Sequence, residues 1–126
     1  GDAGALRVLG YGDGKDLRVE KGAVTPARPK IGDRWTVAFD VVNRGRHPRA
    51  VMVDFRIHYV KAKGSTNPKV FKMKAIEIGT GERVSLRKTV SLADMTTRRH
   101  YPGEHRVDAI LNGEMRPLGA FHLGPA

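Results

Sequence analysis

Apolar and polar residues alternate with a period of two through most of this chain, and this pattern constrains the fold more than any other feature. In residues 35–41 (WTVAFDV), Trp35 and Phe39 share one side, while smaller or polar residues take the other. Residues 51–59 (VMVDFRIHY) repeat the alternation. Successive side chains of a β-strand point to opposite faces, so the pattern is typical of half-buried antiparallel strands.

Weaker alternation and turn signals predict further β-strands in the rest of the chain. The phase slips between residues 71–73 and 76–78, which predicts a β-bulge or a strand that crosses between sheets. Asn112-Gly113 is a preferred pair for a tight hairpin. Only SLADMTT looks helical, because Ser91 and Asp94 have capping-box spacing. The predicted strands lie near residues 17–24, 35–43, 50–61, 70–78, 83–92, 105–111 and 118–123.

Many short strands, regular turns and no long helix predict an all-β fold, an immunoglobulin-like antiparallel β-sandwich of about seven strands. The length of 126 residues fits one domain. We expect the sandwich to span residues 17–124, and the glycine-rich segment 1–16 to be a linker or the tail of a preceding segment. The inward positions predict a core that contains Trp35, Phe39, Val53, Phe55, Ile57, Val107 and Leu111.

The chain is strongly basic, with 23 lysines and arginines against 13 acids and a net charge of +10. Such an excess favours polyanionic partners through counterion release, although it also serves solubility. The lack of cysteine excludes disulfides and thiolate zinc sites, and is compatible with a reducing, cytoplasmic location. No apolar run is long enough to span a bilayer, so we expect no membrane partner.

The sequence contains no arrangement of residues that is typical of an enzyme. Its histidines lack metal-ligand spacing, and its serines lie in no nucleophile elbow. The segment GYGDGKD departs from the phosphate-binding loop, because Asp16 rather than Ser or Thr follows Lys15. We therefore expect no catalytic residue, no metal site, no cofactor and no enzyme activity from this chain alone.

Two basic segments far apart in sequence are expected to meet at one end of the sandwich. One runs from Lys61 to Lys74 without an acid, and the other lies around Arg98. A smaller cluster from Arg44 to Arg49 belongs to the opposite end. The first two segments predict a phosphate-contacting patch, with a solvated charged rim as the alternative. The residues of the predicted patch are Lys61, Lys63, Lys69, Lys72, Lys74, Arg98, Arg99 and His100.

Tyr101 and His105 flank a Pro-Gly turn at the start of the sixth predicted strand. Immunoglobulin-like sandwiches place a corner tyrosine at this point, with its hydroxyl bonded to nearby backbone, and we assign that role to Tyr101. His105 falls on the inward alternation of the strand, so we expect a hydrogen-bonded core or rim histidine rather than a metal ligand.

Three segments of the chain together resemble a known family. TPARPKIGDRWTVAFDVVNRG is similar to the general opening of bacterial immunoglobulin-like domains. VDFRIHYVKAKGSTNPKVFKMKAIEIGTGERVSL and DMTTRRHYPGEHRVDAILNGE are similar to the C-terminal region of bacterial DNA alkylation repair proteins of the HEAT-repeat type. ALRVLGYGDG resembles the end of the helical-repeat domain, which implies that segment 1–16 is a remnant of a preceding helical domain. In that family the helical repeats carry the base chemistry, so the resemblance transfers no catalytic residue.

Three function classes remain open at this point. The first is a non-catalytic accessory domain of a DNA alkylation repair-like protein that adds DNA backbone contacts through the basic patch. The second is a docking module for a protein or for a HEAT-repeat domain of the same chain, with no DNA contact. The third, a carbohydrate-binding sandwich, is disfavoured because Trp35 and most phenylalanines fall on inward positions. We expect a monomer.

Overall fold

The computed structural model describes residues 15–126, which form seven β-strands and no helix. This part of the chain therefore holds no helix that could cross a membrane. The predicted all-β class is confirmed, whereas residues 1–14 of the predicted linker lie outside the described residues. The strands are β1 (Leu17–Thr25), β2 (Arg34–Asn43), β3 (Arg49–Val60), β4 (Thr66–Ile78), β5 (Arg83–Ser91), β6 (Gly103–Leu111) and β7 (Glu114–Leu123).

The strands form a two-layer antiparallel sandwich. One sheet has the order β1-β2-β5 and the other β4-β3-β6-β7. The connections 61–65 and 92–102 lie at one end, which we call the upper end. The connections 44–48, 79–82 and 112–113 lie at the other, which we call the lower end. The topology therefore brings the two predicted basic connections to the same end of the molecule.

The core lies between the inner faces of the two sheets. Trp35 of β2 packs against Phe121 of β7, with ring centroids 4.7 Å apart, and meets the edge of Phe55 of β3 at 6.3 Å. These aromatic contacts join the two sheets, since β2 belongs to one sheet and the other two strands to its partner. Every predicted core residue is at most 1% exposed: Trp35, Phe39, Val53, Phe55, Ile57, Val107 and Leu111.

Local irregularities explain where the sequence pattern weakens. The β3–β4 register shifts after the pairing of Val53 with Lys74, which leaves Met73 as an extra residue and confirms the predicted bulge. The predicted Asn112-Gly113 hairpin is also confirmed, with φ of 49° and 81° in the left-handed region that such turns require. Both β4 and β7 begin four residues earlier than expected, because their first residues are mostly exposed and lack alternation.

The segment after β5 is an extended turn, so the predicted helical turn is wrong. The Ser91 hydroxyl accepts a hydrogen bond from the Ala93 amide at 3.2 Å, which closes a local turn in place of a capping box. Asp94 instead accepts a hydrogen bond from the His100 amide at 2.7 Å. Met95 and Arg98 exchange two backbone hydrogen bonds, of 2.8 and 3.2 Å. The β5–β6 connection is therefore held by its own polar contacts.

Phe55 offers a direct test of the core. Phe55→Ala should lower the free energy of unfolding by about 3–5 kcal/mol, because it removes a fully buried ring that contacts both Trp35 and Phe71. Val70→Ala is the control, since Val70 is 52% exposed on the neighbouring strand and its truncation should cost less than about 0.5 kcal/mol. Urea unfolding of both variants measures the difference, and equal stabilities would contradict the assigned core.

Candidate functional site

A cleft of about 210 Å³ opens at the upper end, where the β3–β4 and β5–β6 connections meet. Both segments of the predicted patch reach it, since Lys61 comes from the first connection and Arg98 and Arg99 from the second. The cleft is otherwise lined by groups that donate hydrogen bonds or are aromatic, apart from one valine. The lining residues are Tyr59, Val60, Lys61, Asn67, Thr97, Arg98, Arg99 and Tyr101.

Arg98 is held in place by the ring of Tyr59. Its guanidinium carbon lies 4.3 Å from the ring centroid, a cation–π contact that orients the charge toward the cleft wall. The two backbone hydrogen bonds with Met95 fix the same residue from the other side of its turn. Arg98 is therefore pre-oriented, whereas Arg99 and Lys61 are exposed side chains of the cleft rim.

Tyr59 connects this cleft to the core. Its ring lies 5.4 Å from that of His100 and 5.8 Å from that of His105, and His105 stacks on Phe121 at 4.9 Å. Burial raises the pKa of the Tyr59 hydroxyl, and the charge of Arg98 offsets only part of this effect. The hydrogen bond from His105 Nδ1 to the Gly103 carbonyl leaves Nε2 as a buried acceptor with no partner among the described residues. The predicted hydrogen-bonded core histidine is confirmed.

His100 is buried and does not belong to the exposed surface of the predicted patch. Only 4% of this residue is exposed, because its ring packs against Tyr59 and its amide bonds to Asp94. Burial lowers the pKa of His100, against the opposing effect of Asp94, and this favours the neutral form of the ring at pH 7. A buried, neutral imidazole cannot contribute to a surface that binds phosphate, and the seven other predicted residues remain on the surface.

Four of the predicted lysines lie outside the cleft lining. Lys63 belongs to the exposed 61–65 connection, and Lys69, Lys72 and Lys74 are exposed on β4. Since β4 is an edge strand of its sheet, lysines there also discourage pairing with other chains. These lysines extend the basic surface from the cleft along the β4 edge, with Lys72 on the outer face opposite Asp54, and Lys69 and Lys74 at inward positions of the edge strand.

Sequence reasoning missed two cations and three cleft residues. Arg87 and Lys88 lie on β5, which is the edge of the other sheet on the same side of the sandwich as β4. Lys88 pairs with Val37, whose side chain is fully buried. Paired residues share a face of the sheet, so Lys88 occupies an inward position on β5 where an apolar residue would be expected. That interruption was visible in the sequence. The roles of Tyr59, Asn67 and Thr97 depend on contacts between distant segments, which no local pattern reveals.

The two ends of the molecule differ in how their cations are neutralised. Within residues 15–126, none of the seven surface cations of the predicted patch forms an ion pair. Four arginines near the lower end do form ion pairs with acidic side chains. Hydrogen bonds from two of them, Arg83 and Arg44, lower the pKa of Glu20. These pairs are Arg44–Glu20 (3.1 Å), Arg49–Asp16 (3.6 Å), Arg83–Glu20 (2.7 Å), Arg83–Asp40 (2.8 Å) and Arg116–Glu114 (2.9 Å).

A polar cluster on the outer face of the four-stranded sheet has the composition of a reacting site but not its geometry. Asp108 Oδ2 accepts hydrogen bonds from His58 Nε2 at 2.8 Å and from Arg56 Nη2 at 3.0 Å. Burial raises the pKa of Asp108, but the hydrogen bonds and charges of His58 and Arg56 together hold it below its usual value. These contacts satisfy the hydrogen-bonding capacity of a buried carboxylate. Among the described residues, no serine, threonine or other nucleophile forms a hydrogen bond with the Asp108, His58 or Arg56 side chains. Residues 15–126 also contain no cluster of three or more histidine, aspartate or glutamate side chains that could hold a metal ion.

Tyr101 is not a corner tyrosine of the expected kind. Its hydroxyl makes no hydrogen bond within the described part of the chain, and its side chain lines the cleft. Tyr101→Phe should therefore change the free energy of unfolding by less than about 0.5 kcal/mol, as expected for a partly exposed side chain without a bonded partner. Urea unfolding checks this, and a loss above about 1 kcal/mol would show that the hydroxyl is bonded in solution.

The buried histidines predict how stability depends on pH. The pKa values of His100 and His105 are both lowered in the fold, chiefly by burial. Below pH 6.5 the unfolded chain therefore binds more protons than the folded one, and stability should fall until the pH reaches the lowered values. The slope should reach at most about 1.4 kcal/mol per pH unit for each histidine.

Urea unfolding between pH 7.5 and 5 measures this slope. His105→Phe is the matched variant, because it removes one titrating group and keeps an aromatic ring against Phe121. Its slope should be about half that of the parent chain. A parent chain with the same stability across this range would contradict the burial of both neutral rings.

Comparison with known proteins agrees with this architecture. Residues 18–125 match the family model described as "Uncharacterised protein YhaZ, C-terminal Ig-like domain". The uncharacterized protein YhaZ of Bacillus subtilis (strain 168) is 32% identical over 123 residues, which cover 98% of this chain and 34% of that protein. The chain thus spans about a third of the length of this relative.

Solved structures extend the comparison. The alkylpurine DNA glycosylase AlkC of Pseudomonas fluorescens, bound to DNA that contains an abasic site analog, matches with a TM-score of 0.87 and 37% identity. The match covers 94% of this chain and 33% of that one. A β-glucosidase from Listeria innocua matches with a TM-score of 0.71 at 15% identity, which shows the shared fold alone. On the family match and the YhaZ likeness together, the chain belongs to the YhaZ C-terminal immunoglobulin-like domain family.

Proposed function

We propose that this domain is a non-catalytic accessory module of a DNA alkylation repair-like protein, and that its upper end binds the nucleic-acid backbone. The observation that carries the proposal is a set of exposed cations without acidic partners beside a cleft rich in hydrogen-bond donors. A cytoplasmic location and a monomeric state remain predictions from the sequence.

The cleft has the chemistry that a phosphodiester requires. Phosphate oxygens only accept hydrogen bonds, and charged donors bind them more strongly than neutral ones. Lys61, Arg98 and Arg99 supply charged donors around the cleft, while Asn67 and Thr97 add neutral ones. Because Arg98 is already packed on Tyr59, it loses less conformational freedom on binding than a free arginine would.

The likeness to AlkC supports a DNA partner. The AlkC structure contains DNA. The region of AlkC that matches is 37% identical to this chain and covers 94% of this chain. This chain corresponds to only a third of the glycosylase, and the repair chemistry of a whole protein is part of the proposal rather than a property of this domain. The domain would add affinity and orientation to a reaction that a neighbouring domain performs.

Protection of the sheet edge does not account for all of these cations. It explains Lys69, Lys72 and Lys74, which lie on an edge strand. Lys61, Arg98 and Arg99 lie in connections outside the strands, where they guard no edge. Their convergence at one cleft is better explained by an anionic ligand.

The test compares two charge-reversed variants of equal net charge. Lys61→Glu with Arg99→Glu changes the cleft rim and leaves Arg98 on Tyr59. Arg18→Glu with Arg46→Glu changes two exposed arginines away from the upper end, neither of which forms an ion pair within residues 15–126. Binding of a duplex DNA to each is measured at several salt concentrations, with urea unfolding as a check that both variants fold.

The cleft variant should bind more weakly, and its slope of log K against log salt should flatten by about one unit per lost phosphate contact. The control variant should lose less affinity and keep the parent slope. If the two variants behave alike, the upper end is only a solvated rim. If the parent chain shows no salt-dependent binding, the domain makes no DNA contact.

A further inference from the structure

Exposed apolar side chains gather on one face of this domain. Among the described residues, four large hydrophobic side chains are exposed: Met52, Val70, Met95 and Met115. Three of them, all except Met95, lie on the outer face of the four-stranded sheet. Exposed apolar groups scattered singly carry no information, but a group on one face marks an interaction surface.

The strand register places two of these methionines around a buried isoleucine. Met115 of β7 pairs directly with Ile110 of β6, which in turn pairs with Asp54 of β3, two residues from Met52. The side-chain amide of Asn112 donates to the Ala50 carbonyl, and its oxygen accepts from the Met52 amide. The backbone beneath this patch is therefore held rigidly. We call Met52, Ile110 and Met115 the methionine patch.

One charged cluster on the same face as the methionine patch is already satisfied, whereas Asp54, which pairs with Ile110, forms no ion pair within residues 15–126. Asp108 is 7% exposed and bonds to both Arg56 and His58 on the same face. Covering a charge costs free energy mainly when it loses water without gaining a partner. Because the Asp108 carboxylate already has two partners, a protein surface could cover it at a modest cost in desolvation, and a cation of that surface could pair with Asp54.

The outer face of the other sheet shows no such pattern. It carries the paired cluster of Glu20, Asp40 and Arg83, together with the Thr36–Thr89 hydroxyl contact across β2 and β5. None of the exposed large hydrophobic side chains of the described residues lies there. The two outer faces of one sandwich thus differ, and only one has the mixture of methionine and arginine that is enriched in protein interfaces.

The course of the chain indicates what covers the methionine patch. The family model describes a C-terminal domain, and the matched relatives carry about two thirds of their length outside this match. In this chain the segment before β1 reaches the fold at the lower end, where the Arg44 amide donates to the Asp16 carbonyl and Arg116 Nη1 to the Leu17 carbonyl. Arg116 directly follows Met115 on β7, so the junction and the patch lie at the same end of the sandwich, on opposite faces of this strand.

We propose that the methionine patch is an interface with the domain that precedes this one in the longer polypeptide. The interface would fix the orientation of the sandwich on its neighbour and leave the upper end exposed. It does not depend on the proposed DNA contact, since it uses the opposite half of the four-stranded sheet.

Methionine oxidation tests the proposal with its own internal control. Brief treatment with hydrogen peroxide, followed by peptide mass spectrometry, is applied to the 126-residue chain and to the longer polypeptide that carries it. In the isolated chain Met52, Met95 and Met115 should all oxidise readily, since each is at least 41% exposed. In the longer polypeptide the oxidation rates of Met52 and Met115 should fall by at least about fivefold. The oxidation rate of Met95, at the upper end, should stay the same.

Unchanged rates for Met52 and Met115 in the longer polypeptide would overturn the proposal. A polypeptide without a preceding domain would do so too. Protection of both methionines in the isolated chain, at high but not at low protein concentration, would assign the patch to a second copy of this chain instead. Equal protection of all three methionines would indicate a general loss of access and would also count against the interface.

Discussion

The packing of Trp35 against Phe55 and Phe121 holds the two sheets together, because it joins β2 of one sheet to β3 and β7 of the other. The same aromatic packing continues through His105 to Tyr59 at the upper end, where the Tyr59 ring supports Arg98. A cation at the cleft is thus held by a ring that belongs to the core. The position of the site follows from packing between the sheets rather than from the loops alone.

The distribution of charge makes the two ends of the domain chemically different. At the lower end, arginines are neutralised by acids of neighbouring strands, as in the contact of Arg83 with Asp40 and Glu20. At the upper end, the exposed cations have no such partners within the described residues, and a polyanion would supply them. Together with the methionine patch, this arrangement suits a module that docks through one region and presents the other to DNA.

Most of the fold could be predicted from the sequence, because the inward alternation around Phe55 and Trp35 directly reflects burial between two sheets. The start of β4 could not, since Thr66 and its neighbours form an exposed edge strand in which nothing selects apolar residues. For the site, the meeting of Lys61 with Arg98 followed from topology alone. The burial of His100 did not, because it depends on Tyr59, which is remote in sequence.

In the proposed function, the upper end of the sandwich is the surface that meets DNA. Amide chemical-shift mapping tests it most directly, with the 126-residue chain titrated by a short duplex at low salt. If the upper end binds DNA, the shifts should be concentrated in the connections 61–65 and 92–102 and along β4, and they should reverse on addition of salt. Shifts centred on the connections 44–48 and 112–113, or no shifts at all, would contradict it.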